Sequence, residues 1–226
     1  VDEAEKVVFS RALANEADLI CRVFAPYREQ LAGIAVESTY NWYWLVDALM
    51  ASGHRVHLAN PAAMRQYEGL KYSDDRTDAL WLARLLRLGI LPEGYIYPRA
   101  GRGLRDLLRR RGQLDGQHTA KLLSVQNQMA RSAGLRLRGE EVKRLSVDVV
   151  AGLVEDPFVC RSIAANLAVM ASLRGEIEGL ERRVLREARL APAFAPLLSV
   201  SGVGRILALT IMLETGDIAR FAGGGN

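Results

Sequence analysis

Apolar and polar positions follow two different rhythms along this chain. In the first part, short apolar runs alternate with helical stretches. Ala32-Gly33-Ile34-Ala35-Val36 is a continuous apolar run of the length that makes a buried strand, and it is closed by Glu37. Arg55-Val56-His57-Leu58-Ala59 is a second such run, and Val7 to Ala12 reads as a further strand after a turn at Asp2-Glu3-Ala4-Glu5. Between them lie helical patterns. One is capped by Asn15 and runs through Leu19, Ile20, Val23 and Phe24 to Pro26, and another runs from about Asn41 to Met50 and is stopped by Gly53. A third opens at Asn60-Pro61, with proline at its first position, and a fourth follows Ser73 or Asp74 as N-cap through Ala79, Leu80, Leu82, Leu85 and Leu88. Strand and helix in alternation predict an α/β layer with at least partly parallel strands.

After Pro98 the rhythm is helical throughout. Leu104, Leu107, Leu108 and Leu114 recur on one face of a helix that continues to Ala130 and turns at Gly134. A shorter helical stretch is expected over Glu140–Val154, and one long helix over Phe158–Arg189, with Val159, Ile163, Leu167, Met170, Leu173, Ile177, Leu180 and Val184 on its apolar stripe. Steps of three and four sustained this long predict a coiled coil or helical hairpin. Its natural partner is the preceding arginine-rich helix, in the same chain or in a second copy. Pro192 and Pro196 should end the long helix. Gly202-Val203-Gly204 then separates two apolar helical runs, which is a helix–hairpin–helix signature. The expected domains are 1–98, 99–190 and 191–226.

Composition narrows the class. The 226 residues are 50% hydrophobic and 25% charged, ordinary for a globular protein, with no apolar run long enough to span a bilayer and no signal peptide. The chain begins with Val and stops at Gly-Gly-Gly-Asn, so a longer parent is expected. Cys21 and Cys160 have apolar neighbours and no metal-ligand spacing, which suggests reduced core residues in a cytoplasmic protein. The formal charge is +4 and the pI about 9.3, carried mostly by arginine, which suits phosphate.

The candidate chemistry is acidic in the first part and basic in the second. A carboxylate at the end of a buried strand, Glu37, stands where ligands of α/β sheets gather and needs a partner. Asp75 and Asp78, three apart on the first turn of a helix, form a jaw for a hard divalent cation. The bland readings are that these aspartates complement the helix dipole, and that Glu37 pairs with Arg55 or Arg76. Six arginines between 99 and 111, among them Arg102, Arg105, Arg109 and Arg110, are relieved only by Asp106. They read as a phosphate-tracking surface, or else as a solvated face. Gly202 and Gly204 allow a tight turn whose bare amides can hold a DNA phosphate, with Arg205 directly after. His54, His57 and His118 show no ligand spacing, and Trp42, Trp44 and Trp81 suit the core better than base stacking.

Val36-Glu37-Ser38-Thr39, Asn60-Pro61 and Ser73-Asp74-Asp75-Arg76-Thr77-Asp78-Ala79, in that order, resemble the amino-terminal domain of the insertion-sequence-110 transposases, a group that includes the pilin-gene inverting recombinase. Leu198-Ser199-Val200-Ser201-Gly202-Val203-Gly204, with Glu214-Thr215-Gly216-Asp217-Ile218 and Phe221, resemble the start of that family's second domain, with Ser201 where proline is usual. The resemblance implies an RNase H-like domain, similar to Holliday-junction resolvases, with a D-E-D-D tetrad holding Mg2+. Glu37, Asp75 and Asp78 would be its second, third and fourth members. It also implies a nucleophilic serine further along the parent chain, distinct from Ser199 and Ser201. The expected partners are DNA, a structured guide RNA and further copies of the chain, with no membrane. A water-dependent resolving nuclease of the same fold and a non-catalytic nucleic-acid-binding module are the rival readings.

Overall fold

The chain opens on a turn knotted by one side chain: Asp2 Oδ1 accepts the amides of Ala4 and Lys6 at 3.0 and 2.8 Å, and Glu5 takes a left-handed φ of 66°. The computed structural model describes residues 1–39, 41–64, 74–189 and 191–221, and divides into two compact units, Val1–Tyr97 and Pro98–Asn226. The first unit runs α1 (Ala17–Phe24), a 3-10 turn (Ala25–Tyr27), β1 (Ile34–Glu37), α2 (Tyr43–Ala51), β2 (Val56–Ala59), α3 (Pro61–Met64) and α4 (Asp75–Arg87). It is an α/β layer built on a two-stranded parallel sheet, with Ile34 opposite Val56 and Glu37 opposite Ala59. The two strands are joined through α2, because parallel neighbours need a crossover.

Helix boundaries follow local chemistry. Asp74 caps α4 by accepting the Thr77 amide at 2.7 Å, while Ser73 lies outside the described residues. Asn60 Oδ1 accepts the Ala62 amide at 3.2 Å ahead of Pro61, and Gly53 takes φ 81° just beyond α2. Val7–Ala12 is not a strand. Among the described residues the only named strands are β1 and β2, and Val7, Val8 and Phe9 are exposed. The apolar start of that segment is present, but among the described residues no neighbouring backbone completes a ladder with it.

What holds this unit is α4 lying on the sheet. Leu82, Leu85, Leu91 and Ala59 form a buried cluster, with Ala35, Met64 and Leu86 packed against it. Trp81, expected in the core, is 39% exposed because it lies on the far side of the same helix. Residues 92–94 run along the edge of β2. Asn60 N donates to Pro92 O at 2.9 Å and Gly94 N to Leu58 O at 2.6 Å, and His57 Nδ1 lies 2.7 Å from Glu93 Oε1.

The second unit holds α5 (Arg99–Ala133), α6 (Gly139–Val142), α7 (Val147–Leu153), α8 (Pro157–Ala188), α9 (Phe194–Leu198) and α10 (Arg205–Thr215), with a 3-10 turn at Ile218–Arg220. Helices α5 and α8 form an antiparallel hairpin within the one chain. Arg111 Nε donates to Glu181 at 2.7 Å, Asn166 to Ser124 at 3.3 Å and Gln128 to Ser162 at 3.2 Å. Ile163, Met170, Ile177 and Val184 of α8 are buried at seven-residue steps, the spacing of a two-helix seam. One core cluster lies at each end of the hairpin. The first joins Leu108, Val184 and Ala188 to Phe194, Ala208, Leu209 and Leu213 of α9 and α10. The second joins Val125, Met129, Ile163 and Met170 to Val142, Val150 and Val154. Pro196 sits inside α9 rather than ending a helix. Its position is in the first turn, where an amide would have no acceptor in any case.

Two outcomes test this packing. A Cβ on Gly33 would lie 2.7 Å from Cδ2 and Nε2 of the His57 ring, which Glu93 holds in place. Gly33→Ala should therefore destabilise the unit by about 1–3 kcal/mol in urea unfolding, and an unchanged midpoint would show that the ring yields freely. His118 lies at the α5–α8 seam, where burial, reinforced by Arg174, pushes its pKa below the usual histidine value. The folded chain then resists a proton that the unfolded chain takes up, so stability is full above about pH 6.5 and falls as pH drops through the lower folded value. Thermal unfolding at pH 7.5 and pH 5.5 should show that fall, and His118→Leu should flatten it.

Candidate functional site

Glu37 ends β1 half-buried, and α4, the helix that carries Asp75 and Asp78, packs on the same strand pair. Asp74 is committed to the cap, and hydrogen bonds from Thr77, side chain and backbone, hold its carboxyl below the ordinary range. Asp75 and Asp78 are exposed. Chemically, three carboxylates suit a hard cation such as Mg2+. In placement they do not yet meet that need: among the described residues no group of three or more His, Cys, Asp or Glu side chains could hold a metal ion. The expected convergence of Glu37, Asp75 and Asp78 is therefore not seen. The reason lies in where α4 is anchored. Leu82 and Leu85 fix its middle on the sheet, while its first turn is shaped by the cap and extends into solvent. The bland alternative does not form either, since among the described residues no ion pair joins Glu37 to Arg55 or Arg76.

The basic face of α5 is less uniform than its sequence implies. Arg102 and Arg105 are buried, at 5% and 8% exposure, so they do not line an open phosphate-tracking surface. Arg109 grips Glu214 of α10 with two parallel bonds of 2.6 Å, Nε to Oε1 and Nη2 to Oε2. Arg111 is tied to Glu181. Arg110 is exposed and donates to Gln113 one turn on at 3.3 Å, its one hydrogen bond among the described residues. Glu214 and Glu181 come from other helices, so a count along α5 could not include them, while Asp115 of α5 itself also lies 3.7 Å from Arg111.

The hairpin signature does become a turn between two helices. Gly202 takes φ 83°, and Gly204 is the extended N-cap residue of α10. Both glycines and Arg205 are exposed, and the first amides of α10 have no acceptor within the helix. The backbone there presents donors toward solvent beside one exposed guanidinium, which is an arrangement suited to a phosphate. The Arg109–Glu214 bond holds α10 against α5, and it keeps the Glu214 carboxyl below its usual range against the opposing effect of burial. The pair's stabilisation is present above the ordinary glutamate pKa and is lost as pH falls through the lower folded value. Both side chains are partly solvated, so Glu214→Gln should cost no more than about 1 kcal/mol. That loss should shrink in high salt and at acid pH, as read from unfolding midpoints.

Among the described residues no helix is long and apolar enough to cross a membrane. No curated protein matches the chain. The family model of the DEDD transposases of the insertion-sequence-110 type, described as Transposase, matches residues 1–132. That match takes in β1 with Glu37, the acidic first turn of α4 and nearly all of α5, more than half of the chain. The chain belongs to the insertion-sequence-110 transposase family.

Proposed function

We propose that the amino-terminal unit is the catalytic part of a DNA transposase that cuts and joins strands with magnesium, and that Glu37, Asp75 and Asp78 provide three carboxylates of an RNase H-like site. The observation that carries this reading is the attachment of α4, with its acidic first turn, to the parallel strand that ends in Glu37. The family match supports the transposase role in general. A magnesium ion held by carboxylates would supply open positions for phosphate oxygens and water. Among the described residues no three-carboxylate metal group is assembled, and the reading expects the first turn of α4 to draw toward Glu37 when DNA and metal bind. In the second unit, Arg110, Arg205 and the amides after Gly202 would hold the sugar–phosphate backbone without reading sequence. A structured guide RNA and assembly of several copies belong to the same reading and rest on the family resemblance.

A second reading is that this chain binds DNA without cutting it, which the exposed Arg205 and the glycine turn before α10 would serve on their own. Asp78→Asn in the full-length parent, read in a magnesium-dependent strand-joining assay, separates the two. On the catalytic reading, joining falls at least about a hundredfold, while DNA affinity and its dependence on salt stay as they were. Joining at the normal rate would remove Asp78 from the site. A protein that also carries the tetrad's first aspartate and the serine the resemblance implies, and that binds DNA but never cuts it, would establish the second reading.

A further inference from the structure

The α5–α8 hairpin is packed at both ends and open in the middle. Its two core clusters do not meet, and Ile177, buried between them, belongs to neither. At that level, seam positions of α5 that hold Leu108, Leu122, Val125 and Met129 elsewhere are filled by Arg111, Asp115 and His118. A cleft of about 600 Å3 opens there, lined by Asp115, His118, Lys143, Arg174 and Glu178 among others. Nε2 of His118 is buried in it without a hydrogen-bond partner.

The same level carries four glycines. Gly112 and Gly116 lie one turn apart on α5, and Gly175 and Gly179 one turn apart on α8. The antiparallel register set by Arg111–Glu181 and Ser124–Asn166 puts Gly112 level with Gly179 and Gly116 level with Gly175. None of the four makes room for a close neighbour. A Cβ would meet nothing within 4 Å at Gly112, Gly116 and Gly175, and only the far end of Arg182 at Gly179. None has a positive φ. Their effect within this chain is therefore to weaken both helices at one level, where backbone freedom in the unfolded chain is greatest and no side chain packs.

We propose that the hairpin is jointed at residues 112–118 and 174–179. Two rigid halves, one bearing α6 and α7 and the other α9 and α10, turn relative to each other about this glycine-rich, polar level. The Arg111–Glu181 bond is the cross-link that holds the joint in the conformation described. Such a joint lets the hairpin turn before α10 change its direction without unfolding either core. The inference concerns the helical unit alone and does not depend on the carboxylate site.

Hydrogen exchange on the whole protein, followed by mass spectrometry, tests it. The amides of 112–118 and 174–179 should exchange at least about tenfold faster than those of 122–129 and 163–170. Alanine at all four glycines should slow the middle by roughly fivefold for each site. Spin labels on Leu123 and Arg186, both exposed and on opposite sides of the joint, should give a broad distance distribution that narrows in the alanine variant. Uniform protection along both helices, or a distribution already narrow in the unsubstituted protein, would overturn the proposal.

Discussion

The first unit depends on one requirement: two parallel strands cannot stand with their apolar faces in water. Helix α4 meets it by placing Leu82 and Leu85 on Ala35 and Ala59. Two buried leucines contribute about 3–6 kcal/mol by area, whereas like charges three apart on an exposed first turn oppose the helix by less than about 0.5 kcal/mol. Packing therefore decides where α4 lies, and the cap at Asp74 decides where it starts. The carboxylates of the exposed first turn are carried along by an anchor set two turns further on.

In the second unit the matching requirement is the burial of the α5–α8 seam. The seven-residue recurrence on α8 is kept through three steps, while its partner α5 breaks the pattern in the middle. The polar break separates two cores that each close with different helices. Because α10 shares the core of Leu108 and Val184, the glycine turn before it is fixed by the hairpin's end and further tied through Arg109 to Glu214. Charge that looked like a surface for phosphate is partly spent on fold: Arg109 and Arg111 neutralise acids of α10 and α8, and Arg102 and Arg105 are buried. What stays open is the Arg110 side of α5 and the exposed amides and arginine at the start of α10.

Local chemistry was legible where the deciding atoms are neighbours in sequence. The N-cap at Asp74, proline at the start of α3 and left-handed Gly53, Gly134 and Gly202 follow from steric and hydrogen-bond rules acting within a few residues. The apolar period of α8 and the strand character of Ile34–Val36 and Val56–Ala59 belong to the same class, and the order of Glu37, Asp75 and Asp78 along the chain carries the family signature. The Val7–Ala12 strand and the core placement of Trp81 failed for a shared reason. An apolar run or an aromatic ring needs a partner surface, and a partner is a property of the fold.

Sequence alone thus determined most of the helices and both strands of the sheet, where most of them begin and end, and to which family the chain belongs. Tertiary structure alone decided that α5 and α8 pair within one chain, and that Glu93 meets His57 and Glu214 meets Arg109. The division is physical. Caps, turns and periodicity are set by interactions whose sequence separation is fixed by covalent geometry, whereas ion pairing, burial of a charge and the meeting of carboxylates depend on which distant surfaces the hydrophobic effect brings together.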